Sequence, residues 1–144
     1  LFIASGCYKL SEEYRLAKKT DPVKLISRSW VKTEEVHTPA NIIPNMFAMG
    51  TLCTKDNQYK FDKDGYYEYN QGGSLCYSTQ TFIIDQGNWV FQNGAGQLKV
   101  TYANGTKIRL YSVLQLDTNY NFVTTYIDSS MGTKVTVRES FDPR

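Results

Sequence analysis

The chain has 144 residues, enough for one domain with a sizeable hydrophobic core and too few for two comfortable ones. Its 16 Lys and Arg residues exceed its 14 Asp and Glu residues by only two, and the charges are interspersed, which argues against a nucleic-acid partner. No apolar run approaches the roughly 20 residues that cross a bilayer as a helix. Aromatic residues make up 14% of the chain and, from about residue 58 onward, lie among Thr, Val and Ile, a composition that favours β-strands.

The first 21 residues are predicted to lie outside the folded domain. The apolar opening LFI is followed by the small residues ASG and then by Cys7, and this segment resembles the end of a bacterial lipoprotein signal peptide. The resemblance implies that residues 1–6 belong to the signal peptide, that Cys7 is lipidated, and that the polar residues 7–21 form a tether. It also implies a location in the cell envelope, on a periplasmic or cell-surface face, with the lipid anchor as the contact with the membrane.

A short helix and one strand are predicted next. Asp21 can cap a helix that starts at Pro22, and the segment DPVKLIS offers a short apolar side. The segment SRSWVKTEEVH is typical of a strand, with Trp30 near its start. Residues 38–56 contain two prolines and no clear periodicity, which predicts a long loop with at most one helical turn.

The single histidine, His37, lies beside Glu34 and Glu35 at the end of this strand. A histidine with carboxylate support can act as a general base, but the simplest interpretation is a group of solvated residues at a strand end. No nucleophile motif, phosphate loop or paired-carboxylate motif accompanies them in the sequence. We therefore predict no enzymatic activity, no catalytic residue and no cofactor.

From residue 57 onward the pattern is that of short strands joined by turns. NQYKF and YYEYN flank DKDG, whose Asp64 and Gly65 predict a two-residue hairpin turn. TFIIDQGNWVF is either one long bent strand or two strands broken near Gly87, and QLKVTYA, TKIRLYSVL, NFVTTYID and TKVTVRES follow. Because the hairpins succeed one another without long crossovers, the strands are predicted to close on themselves. The predicted fold is all-β, a single up-and-down antiparallel β-barrel of about eight strands with a short N-terminal helix.

Alternation along the strands sorts their side chains between a dry face and a wet face. On the later strands the predicted dry face holds Leu98, Val100, Tyr102, Ile108, Leu110, Leu114, Val135 and Val137. By the same parity the dry face of the earlier strands holds Tyr59, Phe61, Tyr67, Tyr69, Trp89 and Phe91. Lys107 and Arg109 are predicted on the wet face.

The three cysteines show no metal-binding spacing, and with one histidine in the chain no metal site is predicted. The DKDG tract matches a calcium loop only in part, since the closing glutamate would fall at Gly73. The favoured interpretation is that Cys53 pairs with Cys76 in an oxidising compartment and that Cys7 has a separate fate. Three buried free thiols in a cytosolic protein remain the alternative.

The Cys-to-Cys segment, together with the Trp30 strand, resembles the lipocalin-like domain found in many small lipoproteins of Gram-negative bacteria. The residues that match its motifs are Cys53, Asp56, Tyr59, Phe61, Asp64, Gly65, Cys76, Gly87 and Trp89. The resemblance covers about residues 22–140 of a domain that we place at 22–144, and it implies a barrel closed at one end by Trp30 and open at the other. Arg28 departs from the pattern, because this family usually has a glycine two residues before the tryptophan.

Two functions are compatible with such a barrel, because its interior can hold one small ligand or be filled by its own side chains. The leading hypothesis is a lipid-anchored binding protein that takes a small apolar ligand, of which hydroxylated and ring-bearing molecules are candidates, inside the barrel. The candidate ligand-binding residues are Tyr59, Phe61, Tyr67, Trp89, Phe91, Tyr102 and Tyr126. The alternative is a cell-surface interaction or adhesion module with a filled barrel, whose loops at 38–56 and 70–80 contact a protein or glycan.

Overall fold

The computed structural model of the chain describes residues 21–76 and 81–144, so the predictions for Cys7 and for most of the tether lie outside the described residues. The helices are α1 (Pro22–Ile26), α2 (Met46–Met49) and α3 (Leu52–Lys55). The strands are β1 (Ser29–Thr38), β2 (Gln58–Phe61), β3 (Tyr66–Asn70), β4 (Ile83–Gln92), β5 (Gln97–Tyr102), β6 (Lys107–Leu116), β7 (Phe122–Asp128) and β8 (Val135–Pro143). Each strand pairs antiparallel with the next, and β1 pairs with β8, which confirms the predicted closed eight-stranded barrel.

The end of the barrel where β1 begins is closed, as the resemblance to the lipocalin-like domain implied for Trp30. Asp21 accepts a hydrogen bond from the Val23 amide (3.1 Å), and Pro22 occupies the first turn of α1, so the predicted helix forms as its capping residues indicate. The indole N–H of Trp30 donates to the Ile26 carbonyl (3.0 Å), which ties α1 to the first strand. Trp30 and Ile26 are both fully buried, so this end is sealed by apolar packing.

Arg28 has its own packing role at the closed end. Its guanidinium carbon lies 4.5 Å from the centre of the Tyr120 ring and 5.8 Å from that of Trp30. A planar cation over aromatic faces is a favourable contact. The position where the lipocalin-like pattern has a glycine is therefore used here for a cation–π contact.

The opposite end, which we call the mouth, carries the β1–β2, β3–β4, β5–β6 and β7–β8 connections. The predicted loop at 38–56 contains two helical turns rather than at most one, because Asn45 and Thr51 cap α2 and α3 with their side-chain oxygens. A disulfide joins Cys53 in α3 to Cys76 in the β3–β4 connection, with their Cα atoms 5.5 Å apart, and this confirms the predicted pairing.

The predicted dry face is correct for β5 and β8 but wrong for β6. Ile108, Leu110 and Leu114 are 62%, 47% and 57% exposed, whereas Arg109 and Tyr111 face the interior. The strand carries apolar residues at both parities, so alternation alone did not decide which side is buried. The guanidinium of Arg109 is accommodated inside because it lies over the Tyr126 ring, 4.2 Å from its centre, and near that of Tyr102.

The closed half of the barrel is filled by a cluster of large side chains. Its buried members are Ile26, Trp30, Phe61, Tyr67, Trp89, Leu98, Val100, Phe122 and Phe141. The void among them has a volume of about 10 Å³, roughly the space of one water molecule. β4 runs through this region as one continuous strand, so the first of the two alternatives for TFIIDQGNWVF is correct.

Candidate functional site

The interior changes character toward the mouth, where charged side chains replace aromatic ones. Lys32 shares the inward parity of Trp30, and a bulge between Lys32 and Glu34 then turns Glu35 inward. On the neighbouring strand, Glu139 lies between the inward Val137 and Phe141 and is 4% exposed. The mouth half of the barrel therefore encloses ionisable groups.

These groups form one ion-pair cluster. The Lys32 ammonium contacts Glu35 Oε1 (2.8 Å) and Glu139 Oε2 (2.5 Å). His37 Nε2 lies 2.8 Å from Glu35 Oε2, and His37 Nδ1 lies 3.0 Å from the Ile43 carbonyl oxygen. His37 is only 9% exposed, so the interpretation of His37 and Glu35 as solvated strand-end residues is wrong. Both neighbours of the imidazole are acceptors, so both contacts are hydrogen bonds only when each ring nitrogen carries a proton.

The cluster favours the charged forms of Lys32 and Glu35. Burial by itself would raise the pKa of Glu35, but its hydrogen bond and attraction to Lys32, followed by those to His37, lower that pKa below its ordinary value. Burial by itself would lower the pKa of Lys32, but Glu139 and then Glu35 raise it far above its ordinary value. The ammonium and the Glu35 carboxylate are therefore ionised at neutral pH.

Two buried oxygens beside the cluster have no hydrogen-bond partner within the described parts of the chain. They are Glu139 Oε1 and Thr124 Oγ1, on residues that face each other across the β7–β8 ladder. Buried polar atoms are nearly always hydrogen-bonded in native proteins, directly or through water. The void of about 10 Å³ is lined in part by Thr124, so one ordered water molecule there could satisfy the Thr124 hydroxyl.

A cavity of about 520 Å³, the mouth cavity, lies between the α2–α3 segment and the rim of the barrel. Its lining residues are Lys32, Glu35, Met46, Phe47, Met49, Gly50, Thr51, Thr54, Lys55, Asn57, Tyr59 and Tyr69. Small-molecule sites in proteins usually measure about 300 to 1,000 Å³, so the volume is that of a ligand site.

The floor of the mouth cavity combines aromatic surface with hydrogen-bonding atoms. The Tyr59 and Tyr69 rings lie with their centres 4.6 Å apart, and the Tyr69 hydroxyl accepts a hydrogen bond from Asn57 Nδ2 (2.9 Å). Asn57 is 8% exposed, and its Oδ1 has no partner among the residues that the structure describes. The α2–α3 segment forms the lid of the mouth cavity, and the centre of its Phe47 ring lies 5.6 Å from the Lys32 ammonium and 5.4 Å from that of Lys55.

The structure distributes the predicted ligand-binding residues over three places. Phe61, Tyr67 and Trp89 are buried in the closed half, and Phe91 packs edge-on against Trp89. Tyr59 lines the mouth cavity. Tyr102 and Tyr126 lie on the other side of the barrel, where both approach the Arg109 guanidinium.

Sequence reasoning missed Lys32, Glu35, Phe47 and Asn57 as site residues. Lys32 stands two positions after Trp30, and Glu139 stands two positions after Val137 of the predicted dry face, so parity alone already placed both on the inner side of their strands. Asn57 opens the predicted strand NQYKF and shares the parity of Tyr59 and Phe61, so parity also placed it on the inner side. No comparable pattern marks Phe47, because it lies in the connection that showed no periodicity.

No protein-family model matches the sequence, and no curated protein matches it significantly. Within residues 21–76 and 81–144, no helix is long and apolar enough to cross a membrane. In the same ranges, no three or more His, Cys, Asp and Glu side chains are grouped so that they could hold a metal ion.

Proposed function

We propose that this protein is a binding protein, not an enzyme, and that it takes a small ring-bearing ligand in the mouth cavity. The observation that carries the proposal is the contrast in volume between the two halves of the barrel. The cavity at the mouth measures about 520 Å³, and the void in the closed half measures about 10 Å³. A ligand therefore has room under the α2–α3 segment and none beside Trp89.

The lining supports a ligand that is apolar over most of its surface and carries at least one hydrogen-bond donor. Phe47, Tyr59 and Tyr69 offer ring faces, and Met46 and Met49 offer adaptable apolar surface. Asn57 Oδ1 is an acceptor that a ligand hydroxyl or amine would satisfy.

We further propose that the barrel is held in the cell envelope by a lipid on Cys7. The Cys53–Cys76 disulfide supports an oxidising compartment, where such bonds form and persist. Because α1 lies at the closed end, the tether would enter the barrel opposite the mouth, so the anchor and the ligand would not compete for one surface.

The alternative function, a module that contacts a protein or glycan through its loops, is favoured by the rim of the mouth. Large apolar side chains project into solvent from three of its connections, and they are Met46, Met49, Leu52, Leu75 and Met131. Exposed apolar surface concentrated at one end of a molecule often marks an interaction site.

Native mass spectrometry of the protein purified from its own host distinguishes the two functions. The binding proposal predicts a retained small mass that is lost on organic extraction and is reduced in Phe47→Ala, which removes a wall of the mouth cavity. Phe82→Ala is the matched control, because Phe82 is exposed outside the cavity and its truncation should leave the retained mass unchanged. Wild-type protein with no retained mass, or equal losses in the two variants, would contradict the proposal.

A further inference from the structure

The barrel wall is open between β6 and β7 near the mouth. The ladder between these strands ends at the Ser112–Thr125 pair, so residues 107–111 and 126–128 do not pair with each other. A cavity of about 650 Å³ lies there, and it is lined both by the outward Ile108 and by the inward Arg109. Successive side chains of a strand point to opposite faces, so both residues reach this cavity at the unpaired edge of β6. We call this cavity the side slit.

Arg109 brings a positive charge to the side slit that no carboxylate neutralises. Within the described ranges it forms no ion pair, and its contacts are with the Tyr102 and Tyr126 rings and the Tyr111 hydroxyl. A guanidinium carries five N–H donors in a fork that matches carboxylate, sulfate and phosphate oxygens. One hydroxyl leaves most of those donors available.

Asp128 is the acidic side chain that lines the side slit. Its carboxylate accepts a hydrogen bond from the Ser130 amide (2.9 Å), and the hydrogen bonds of Ser130 together with the attraction of Arg109 lower the pKa of Asp128. In the part of the chain that the structure describes, no ion pair joins it to Arg109. It therefore moderates the local charge without occupying the donors of the guanidinium.

The outer lips of the side slit are apolar. Ile108, Leu110 and Ile127 line it, and all three are exposed to solvent. Exposed aliphatic side chains beside a half-buried cation provide complementary surfaces for the two parts of an anionic amphiphile.

We propose that the side slit binds an anionic amphiphile, with its anionic head on Arg109 and its hydrocarbon chain along Ile108, Leu110 and Ile127. The side slit is separate from the mouth cavity, so a negative result for the side slit would leave the proposed function of the mouth cavity unaffected. A carboxylate and a sulfate head satisfy the same donors, and the chain length that fits is set by the apolar lips.

The test is a titration of the ¹⁵N-labelled protein, followed by NMR, with four probes below their critical micelle concentrations: decanoate, decyl sulfate, acetate and decyltrimethylammonium. Decanoate and decyl sulfate should shift the amide signals of residues 108–111 and 126–128 and the Arg109 side-chain N–H signal. Acetate lacks the chain and decyltrimethylammonium lacks the negative charge, so each should bind about tenfold more weakly or worse.

Two variants and one control assign the site. Arg109→Gln should weaken decanoate binding about tenfold or more. Arg138→Gln removes an exposed arginine from the outer face of β8 and should leave the affinity unchanged. Ile127→Asn alters only an exposed side chain, so it keeps the proposal testable if Arg109→Gln fails to fold. This variant should also lower the affinity for decanoate.

Three results would overturn the proposal. The first is equal binding of decanoate and decyltrimethylammonium, and the second is unchanged affinity in Ile127→Asn or in folded Arg109→Gln. The third is a dimer that forms in a concentration-dependent way in sedimentation experiments. In that case Ile127→Asn would dissociate the dimer, and decanoate would not compete with dimer formation. That third result would identify the apolar lips as an interface between two copies of the chain.

Discussion

Lys32 stands between two carboxylates that would otherwise be buried without a counter-ion. Its ammonium contacts Glu35 and Glu139. The three side chains are almost fully buried, with relative exposures of 10% for Lys32, 11% for Glu35 and 5% for Glu139. Burying a charge is costly, and a buried pair recovers that cost only through close contact with its partner. The cluster therefore depends on the one cation at its centre.

Removal of that cation should be strongly destabilising. We expect Lys32→Met to lower the free energy of unfolding by about 3 to 5 kcal/mol, because it leaves Glu139 buried without a partner. Urea denaturation followed by tryptophan fluorescence measures the change. Lys60→Met, at an exposed position on β2, is the matched control and should change stability by less than about 0.5 kcal/mol. A Lys32→Met protein as stable as the control would contradict the assigned role.

The lowered pKa of Glu35 predicts how stability depends on pH. The ordinary value is 4.5, and the folded value lies below it, so below about pH 4.5 the unfolded chain binds more protons at this residue than the folded one. The contribution of Glu35 is therefore fully present above that pH and is lost as the pH falls through the folded pKa. Glu35→Gln should flatten this part of the stability profile, whereas Glu34→Gln, at an exposed position, should leave it unchanged. Parallel profiles for the wild type and Glu35→Gln would be evidence against the ion-pair cluster.

At the scale of the strand, Gly87 explains how β4 passes close to β5 without a break. A Cβ atom at this position would lie 1.8 Å from the Thr101 carbonyl oxygen, closer than any side chain allows. The glycine is required by this close approach of two backbones.

We expect Gly87→Ala to destabilise the protein by more than about 3 kcal/mol, since the backbone of β4 or β5 must move to admit the methyl group. Gly73→Ala is the control, because a Cβ atom there would meet only the Asp56 carboxylate, at 3.3 Å. Thermal unfolding of the two variants measures the difference, and similar midpoints would show that the strands are not packed as closely as described.

The disulfide connects the lid of the mouth cavity to the β3–β4 connection. The cysteines are 23 positions apart, and a crosslink that closes a loop of this size contributes about 3 kcal/mol in the chain-entropy model. The variant Cys53→Ser/Cys76→Ser should lose about that much stability and should exchange amide hydrogens faster in residues 46–57. Amide hydrogens around Trp30 that exchange through local opening should exchange at the same rate as in the wild type. Cys7→Ser is the control, and equal lid exchange in both variants would contradict this role.

Much of this architecture was predictable because strands, turns and caps are local features. The β2–β3 hairpin, the capped helix at Pro22 and the position of Trp30 near the start of β1 all follow from residues close together in sequence. The hairpin turn nevertheless has three residues, 63–65, and not the predicted two, because the Asp62 amide donates to the Tyr66 carbonyl (2.9 Å) and only Gly65 has a positive φ. The face of β6 was not predictable by the same rule, because Arg109 is stabilised inside by rings on two other strands. Contacts of that kind depend on the closed barrel and leave no trace in a single strand.

The candidate site was harder to predict than the fold for a similar reason. Its floor combines β1, β2 and β3, and its lid is an aperiodic connection held by a disulfide. Tyr59 was predicted because it alternates with Phe61, and Asn57 shares that parity, but Phe47 acquires its position only through the tertiary structure. The charged residues were undervalued because a Lys or Glu on a strand is usually solvated.

At the scale of the whole molecule, the barrel is divided between a filled end and an open end. The closed half is sealed by Trp30, Phe122 and Ile26, and it leaves about 10 Å³ empty. The mouth half holds buried charges and a cavity of about 520 Å³ beneath short helical turns. A rigid apolar base that supports a polar mouth is suited to holding a ligand in a defined orientation.

Amide hydrogen exchange on protein from its own host, before and after organic extraction, tests this division most directly. The account predicts that extraction speeds exchange in residues 46–57 and around Tyr69, which surround the mouth cavity, and leaves the amides of Trp89, Leu98 and Phe122 unchanged. If extraction instead speeds exchange at Trp89, Leu98 and Phe122 and leaves residues 46–57 unchanged, the ligand occupies the depth of the barrel and the account is wrong.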